Sequence, residues 1–125
     1  MEYNFENIYN YVKQGRNKTE RPVNYKPKNT KFVIIDENTI GLKYYDTFIL
    51  KWIKTKDYGT IVQFNSDGFR TQTTKDRMNY FQNHIWIKQH KKKWYFMWQE
   101  KEMPFVDFMC ITETPPYLMK SISTP

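Results

Sequence analysis

The sequence predicts an α+β domain: an antiparallel sheet of about five to seven strands, a short internal helix and an N-terminal helix. Three observations carry this. From position 32 onward, short runs rich in Ile, Val, Phe, Tyr and Trp recur between turn residues, the pattern of strands joined by hairpins. Only two stretches combine helical spacing with a capping residue in front. No strand–helix–strand alternation points to a parallel sheet. The 125 residues are read as a single domain, 1–125, with material for one core. Aromatic residues make up 18%, so rings rather than Leu and Val fill that core.

Residues 4–14 read as an amphipathic helix (domain segment 1–14), in which Asn4 can cap, Phe5, Ile8 and Val12 recur on one face, and Gly15 can end the run. Residues 15–31 form a basic extended arm. Arg16, Lys18, Arg21, Lys26, Lys28 and Lys31 oppose only Glu20, and Pro22 and Pro27 block both a helix and an inner strand. Such an arm either wraps its own domain or reaches along a phosphate backbone. Residues 32–111 are the β-rich core. Strands are expected at 32–35, 39–45, Thr47–Lys54 and Thr60–Phe64, with turn signals at Asp36-Glu37-Asn38 and Lys56-Asp57-Tyr58-Gly59. The internal helix is expected at 74–83, with Thr73 and Asp76 in an approximate capping-box relation and Met78 and Phe81 on one face. Strands at 85–89 and 94–99 flank His90-Lys91-Lys92-Lys93, a hairpin with a basic tip, and 106–111 is the last strand. Residues 112–125, with Pro115-Pro116, are expected to be a loosely held C-terminal tail.

Twenty Lys and Arg against 13 Asp and Glu give a formal charge of +7. Such a surface attracts nucleic acid, an anionic membrane or an acidic protein, and does so less at high salt. Solubility alone also accounts for a surplus of this size. Cys110 is the only cysteine, which excludes an internal disulfide and a cysteine-rich zinc site and fits a reducing compartment. Its apolar surroundings suit a small packed hydrophobe. The acidic N-terminus lacks an apolar signal region, and no run approaches the roughly 18 apolar residues of a membrane span. A soluble intracellular protein is expected, without a cofactor and without membrane attachment.

Two groups of residues are candidates for binding. At the hairpin tip, Lys88, His90, Lys91, Lys92 and Lys93 are interleaved with Trp86, Trp94 and Tyr95. Cations for backbone phosphates beside rings for base stacking are the equipment of single-strand binders. Strand alternation limits this, because Trp94, Phe96 and Trp98 share a face that reads as core and put Tyr95 and Met97 on the opposite one. In the second group, the turn Asn65-Ser66-Asp67-Gly68 leads to a helix start where Arg70, Thr73, Thr74, Lys75 and Arg77 gather. The free N–H groups and positive dipole end of a helix suit a phosphate or carboxylate. The plainer reading makes Thr73 the cap and pairs Arg77 with Asp76 or Asp67. Asn79, one turn further on, is suited to hydrogen-bonding a neighbouring loop or a ligand.

Catalysis finds little support. Asp46, Asp57, Asp67, Asp76 and Asp107 are scattered, His84 and His90 lack metal-ligand spacing, and four glycines form no phosphate loop. A His/Lys acid–base pair assembled in space stays open, since sequence does not exclude one. The expectation is a protein that is not an enzyme and binds no metal.

Three pieces of the chain resemble a family of small proteins carried by tailed bacteriophages. They are Asn38-Thr39-Ile40 with Tyr45-Asp46-Thr47-Phe48-Ile49, the run from Val62 to Asn79, and Trp94-Tyr95. The shared pattern is a strand, a turn with Gly and an aromatic, then R-T-x-T-T-K-x-R-(I/M)-N, and a strand pair closed by W-Y. It covers residues 38–98, about half of the chain. Asp67 departs from it, where a second glycine or another small residue is expected. The resemblance implies a phage origin and expression in the cytoplasm of an infected bacterial host, and it implies no activity or catalytic residue. Phage accessory proteins of this size often bind nucleic acid or block a host defence enzyme. The expected function is therefore non-catalytic nucleic-acid binding or, alternatively, a protein-interaction module that inhibits a host defence complex or nuclease. The partner is nucleic acid or a host nucleic-acid-binding protein. In the second case the basic surface fills a groove meant for nucleic acid, or the rings anchor a stable interface.

Overall fold

A computed structural model describes residues 1–23, 29–113 and 118–119. In chain order the elements are α1 (Phe5–Lys13), β1 (Glu20–Pro22), β2 (Thr30–Asp36), β3 (Thr39–Tyr44), β4 (Thr47–Lys54), β5 (Thr60–Phe64), α2 (Gln72–Tyr80), β6 (Trp86–His90), β7 (Lys93–Trp98), β8 (Lys101–Pro104), β9 (Cys110–Thr112) and β10 (Leu118–Met119). The class is α+β and every described pairing is antiparallel.

The strands divide between two sheets, one of seven in the order β1-β2-β3-β4-β5-β9-β10 and one of three in the order β6-β7-β8. The single sheet expected from the sequence is split because α2 follows β5 and takes the chain away. β9 then returns to occupy the β5 edge, so β6 to β8 pair only among themselves.

Alternation along the strands builds the core in rows. Phe32, Leu42, Leu50 and Phe64 face one another across β2 to β5, and Ile40, Trp52, Val62 and Ile111 do so across β3, β4, β5 and β9. All eight side chains are buried. At the β3–β4 pairing the register slips between Leu42 and Lys43, which leaves Ile49 as an extra residue that is also buried. Over these rows α1 lays Phe5, Ile8 and Val12, capped as expected by Asn4, whose Oδ1 accepts from the Asn7 N–H at 2.9 Å. Phe81, just past α2, meets the Phe32 ring edge-on at 5.7 Å.

The described part of the basic arm wraps its own domain. β1 is an edge strand ending on Pro22, where the missing N–H costs no ladder bond. Lys31 pairs with Glu20 at 2.9 Å, and the Arg21 guanidinium lies 4.1 Å over the Tyr11 ring while donating to the Tyr11 carbonyl. Lys26, Pro27 and Lys28 lie outside the described residues. At the other end, the strand expected at 106–111 is a turn until Cys110, because Phe108 takes a left-handed φ of 69°. Thr112 completes β9 and Leu118–Met119 pairs with it; the rest of the expected tail, 114–117 and 120–125, lies outside the described residues. Among the described residues, no helix is long and apolar enough to cross a membrane.

Candidate nucleic-acid interface

The small sheet sorts its residues by face. Ile87, Trp94 and Phe96 are buried, and Trp98 and Met103 pack partly against the core. On the outer face Trp86 stands opposite Met97, Lys88 opposite Tyr95, and His90 opposite Lys93, with Pro104 and Glu102 alongside on β8. This is the face division that the alternation of β7 implies. Trp86 is 59% exposed, too much for a core ring. Beside it, Tyr80, also exposed, completes an open depression of about 360 Å³ bordered by Asp76 and Asn79.

The charges on this face are unequal. The Lys88 ammonium lies 3.2 Å from the Glu102 carboxylate, so its charge is compensated. Lys91, Lys92 and Lys93 are exposed and form no ion pair among the described residues. Lys91 and Lys92 make the two-residue turn, with φ of 49° and 65°. Those are the positions that Asn and Gly usually take in such turns.

The helix start differs from its expected form. α2 begins at Gln72, two residues earlier, and Thr71 rather than Thr73 caps it: its Oγ1 accepts from the Thr74 N–H at 3.2 Å and lies 3.0 Å from the Thr74 Oγ1. Thr74 is buried and Thr73 is exposed. The Lys75 N–H, expected to be open to an anion, already donates to the Thr71 carbonyl at 3.1 Å. Three threonines in four positions give the sequence no means of choosing the cap.

The arginines part company. Arg77 pairs with neither Asp76 nor Asp67. Its Nε donates to the Thr30 Oγ1 at 2.8 Å and its guanidinium lies 4.2 Å over the Tyr44 ring, tying α2 to β2 and β3. Arg70 lies 5.2 Å from the Phe105 ring centre and 3.9 Å from the Asp107 carboxylate. The helix start is therefore a structural joint in which Arg70 and Arg77 turn to different partners. Asn79 serves the same joint, with its Nδ2 donating to the Ile87 carbonyl at 2.8 Å and its Oδ1 accepting from the Ile87 N–H at 2.7 Å. No sequence signal marked a further latch: Asp107 accepts from both the N–H and the hydroxyl of Ser66, 41 residues away, at 2.7 and 2.8 Å.

The remaining titratable groups lie apart from this face. Burial, followed by the charges of Glu2 and Glu6, pushes the Glu113 carboxyl up to about 7, and burial lowers His84 below its ordinary value. Both line a polar pocket of about 250 Å³ beside the start of α1. His90, by contrast, ends β6 at the lysine tip. Burial also raises the Cys110 thiol to about 11, which makes it a poor nucleophile. Among the described residues no group of three or more His, Cys, Asp and Glu side chains is arranged to hold a metal ion. Comparison of the chain with protein-family models, curated proteins and solved structures finds no match.

Proposed function

We propose that the protein is a small basic phage accessory protein of the infected host's cytoplasm that binds single-stranded nucleic acid without catalysis. The observation that carries this reading is the outer face of β6 to β8, where an exposed Trp86 and the half-buried Tyr95 lead to His90 and the exposed Lys91, Lys92 and Lys93. Bases stack on rings and phosphates follow ammonium groups, so one strand of nucleic acid crosses the face from Trp86 to the tip. The turn itself supports the reading. Two lysines in left-handed backbone forfeit stability that Asn-Gly would keep, and what they supply instead is charge.

Fluorescence anisotropy of a labelled oligothymidine, titrated across salt concentrations, tests this. Lys91→Ala, Lys92→Ala and Lys93→Ala together should weaken binding and reduce the log–log salt slope by about 2, at about 0.7 per lost phosphate contact. Trp86→Ala should weaken it by about tenfold, the worth of one stacked base. Absence of any retention of DNA or RNA at low salt overturns the proposal. The second reading, a module that inhibits a host defence complex or nuclease, is favoured by one separate observation: exposed aromatic rings are also gathered on the loops beside β4 and β5, around pockets that no residue of the Lys91–Lys93 tip lines.

A further inference from the structure

Tyr45, Phe69 and Phe108 are 61%, 64% and 56% exposed. Tyr45 opens the turn between β3 and β4, and Phe69 follows the turn 65–68. Phe108 lies in the loop that the Ser66–Asp107 hydrogen bonds latch to that second turn. Tyr44, Tyr45, Asp46, Ser66, Phe69 and Thr71 border a pocket of about 340 Å³, and Asp46 also lines a neighbouring one of about 180 Å³ that reaches Asp67 and Phe108. No residue lining either pocket belongs to the small sheet.

Folding does not account for these rings. Tyr45 and Phe108 have φ of 52° and 69°, a conformation that costs a bulky residue roughly 1–2 kcal/mol, yet both leave most of their surface in water. Strain kept without burial points to use. Charge then selects the occupant. In a chain of formal charge +7, Asp46 and Asp67 are exposed here and make no ion pair among the described residues. Lys51 is the one cation among the residues that line the two pockets, and its ammonium lies 5.6 Å from the Phe48 ring centre, so the two carboxylates outnumber it and the surface disfavours a phosphate backbone and attracts a cation. A planar cation suits walls made of rings, and the chain already uses that pairing with three arginines, Arg21 on Tyr11, Arg70 on Phe105 and Arg77 on Tyr44. The volume is at the small end of the roughly 300–1,000 Å³ of ligand pockets, a fit for one side chain of a larger partner.

We infer that this pocket is a docking site for a basic protein partner that inserts an arginine side chain between Tyr45 and Phe69, with its guanidinium beside Asp46. The inference does not depend on nucleic-acid binding by the small sheet; it gives the protein-interaction reading a specific surface and chemistry.

The test is an NMR titration of the ¹⁵N-labelled protein with acetyl-arginine amide, repeated with acetyl-citrulline amide, the uncharged isostere. Arginine should shift the amides of Tyr45, Asp46 and Phe69, and citrulline should bind at least about tenfold more weakly, as expected when a charge-assisted contact is lost. Tyr45→Gly removes the ring and relieves the backbone, so it should keep or raise the melting temperature while the arginine shifts disappear. The variant lacking Lys91, Lys92 and Lys93 should keep them. Equal shifts from citrulline, shifts scattered away from the pocket, or arginine binding that survives Tyr45→Gly would each overturn the proposal. A wild-type dimer in sedimentation that Tyr45→Gly dissolves, or oligothymidine binding that Tyr45→Gly abolishes, would overturn it too, by giving the surface to a second copy or to nucleic acid.

Discussion

The Thr71 hydroxyl and the Asn79 amide fix α2 at its two ends, and each gives a sharp expectation. Thr71→Ala removes a cap and should lower stability by about 1 kcal/mol in urea denaturation, whereas Thr73→Ala should be near neutral. Equal effects would mean that the helix begins elsewhere. Asn79→Ala leaves both polar groups of the Ile87 peptide without their partner, and should cost about 2 kcal/mol. At this scale the sequence was legible by type and not by partner. It marked Thr and Asn as residues that bond to backbone, and it placed Asn4 correctly. It could not show that Asn79 reaches Ile87 or that Asp107 reaches Ser66, because those pairings are made only when distant segments meet. Nor could it show that a tyrosine ring would draw Arg77 away from the aspartates beside it.

Among the elements, both hairpins of the small sheet turn through left-handed pairs, Lys91-Lys92 and Gln99-Glu100, with φ of 48° and 63° in the second. Replacing Gln99-Glu100 by Asn-Gly should raise stability by about 1 kcal/mol and leave oligonucleotide binding unchanged. The same replacement at Lys91-Lys92 should also stabilise, but should weaken binding through the two lost charges. Thermal melts paired with anisotropy separate the two outcomes. The strands Thr47–Lys54 and Thr60–Phe64 were read to the residue because β-branched and aromatic runs end at clear turn signals. β8 escaped detection: Lys101-Glu102-Met103-Pro104 has no such run, and Gln99-Glu100 is not a turn that composition reveals. β1 escaped inside a stretch whose charge and prolines described an arm. A split into two sheets was illegible altogether, since it depends on β9 returning to β5, a pairing between residues far apart in the chain.

For the molecule as a whole, the pocket holding Glu113 and His84 joins the start of α1, the start of β5, the end of β9 and the loop after α2, so its protonation state is felt by the fold. The Glu113 carboxyl titrates near 7 when folded and near its ordinary 4.5 when unfolded. The folded state therefore holds that proton more tightly, and its contribution to stability is full below about 4.5 and is lost as pH rises through 7. His84 runs the other way: its lowered folded pKa costs stability as pH falls below 6.5. Glu113→Gln should accordingly gain melting temperature over wild type as pH is raised from about 5 to 8, and a pH-independent difference between the two would contradict the burial of that carboxyl.

A chain so rich in rings and strands is at risk of adding strands to itself, because an open sheet margin offers unpaired N–H and C=O groups to any extended segment. Here the margins are blunted. β1 is three residues long and ends on Pro22, and β8 is four residues long and ends on Pro104. Among the described residues β6 is the longest of the margins, five residues, and at its second residue Asn79 already fills the place a visiting strand would take. The amide group imitates a peptide, donating and accepting as a neighbouring strand would, but it carries no chain onward. Loss of that amide would therefore do more than loosen one helix. It would open a template, and Asn79→Ala should scatter light at protein concentrations where the wild type remains clear.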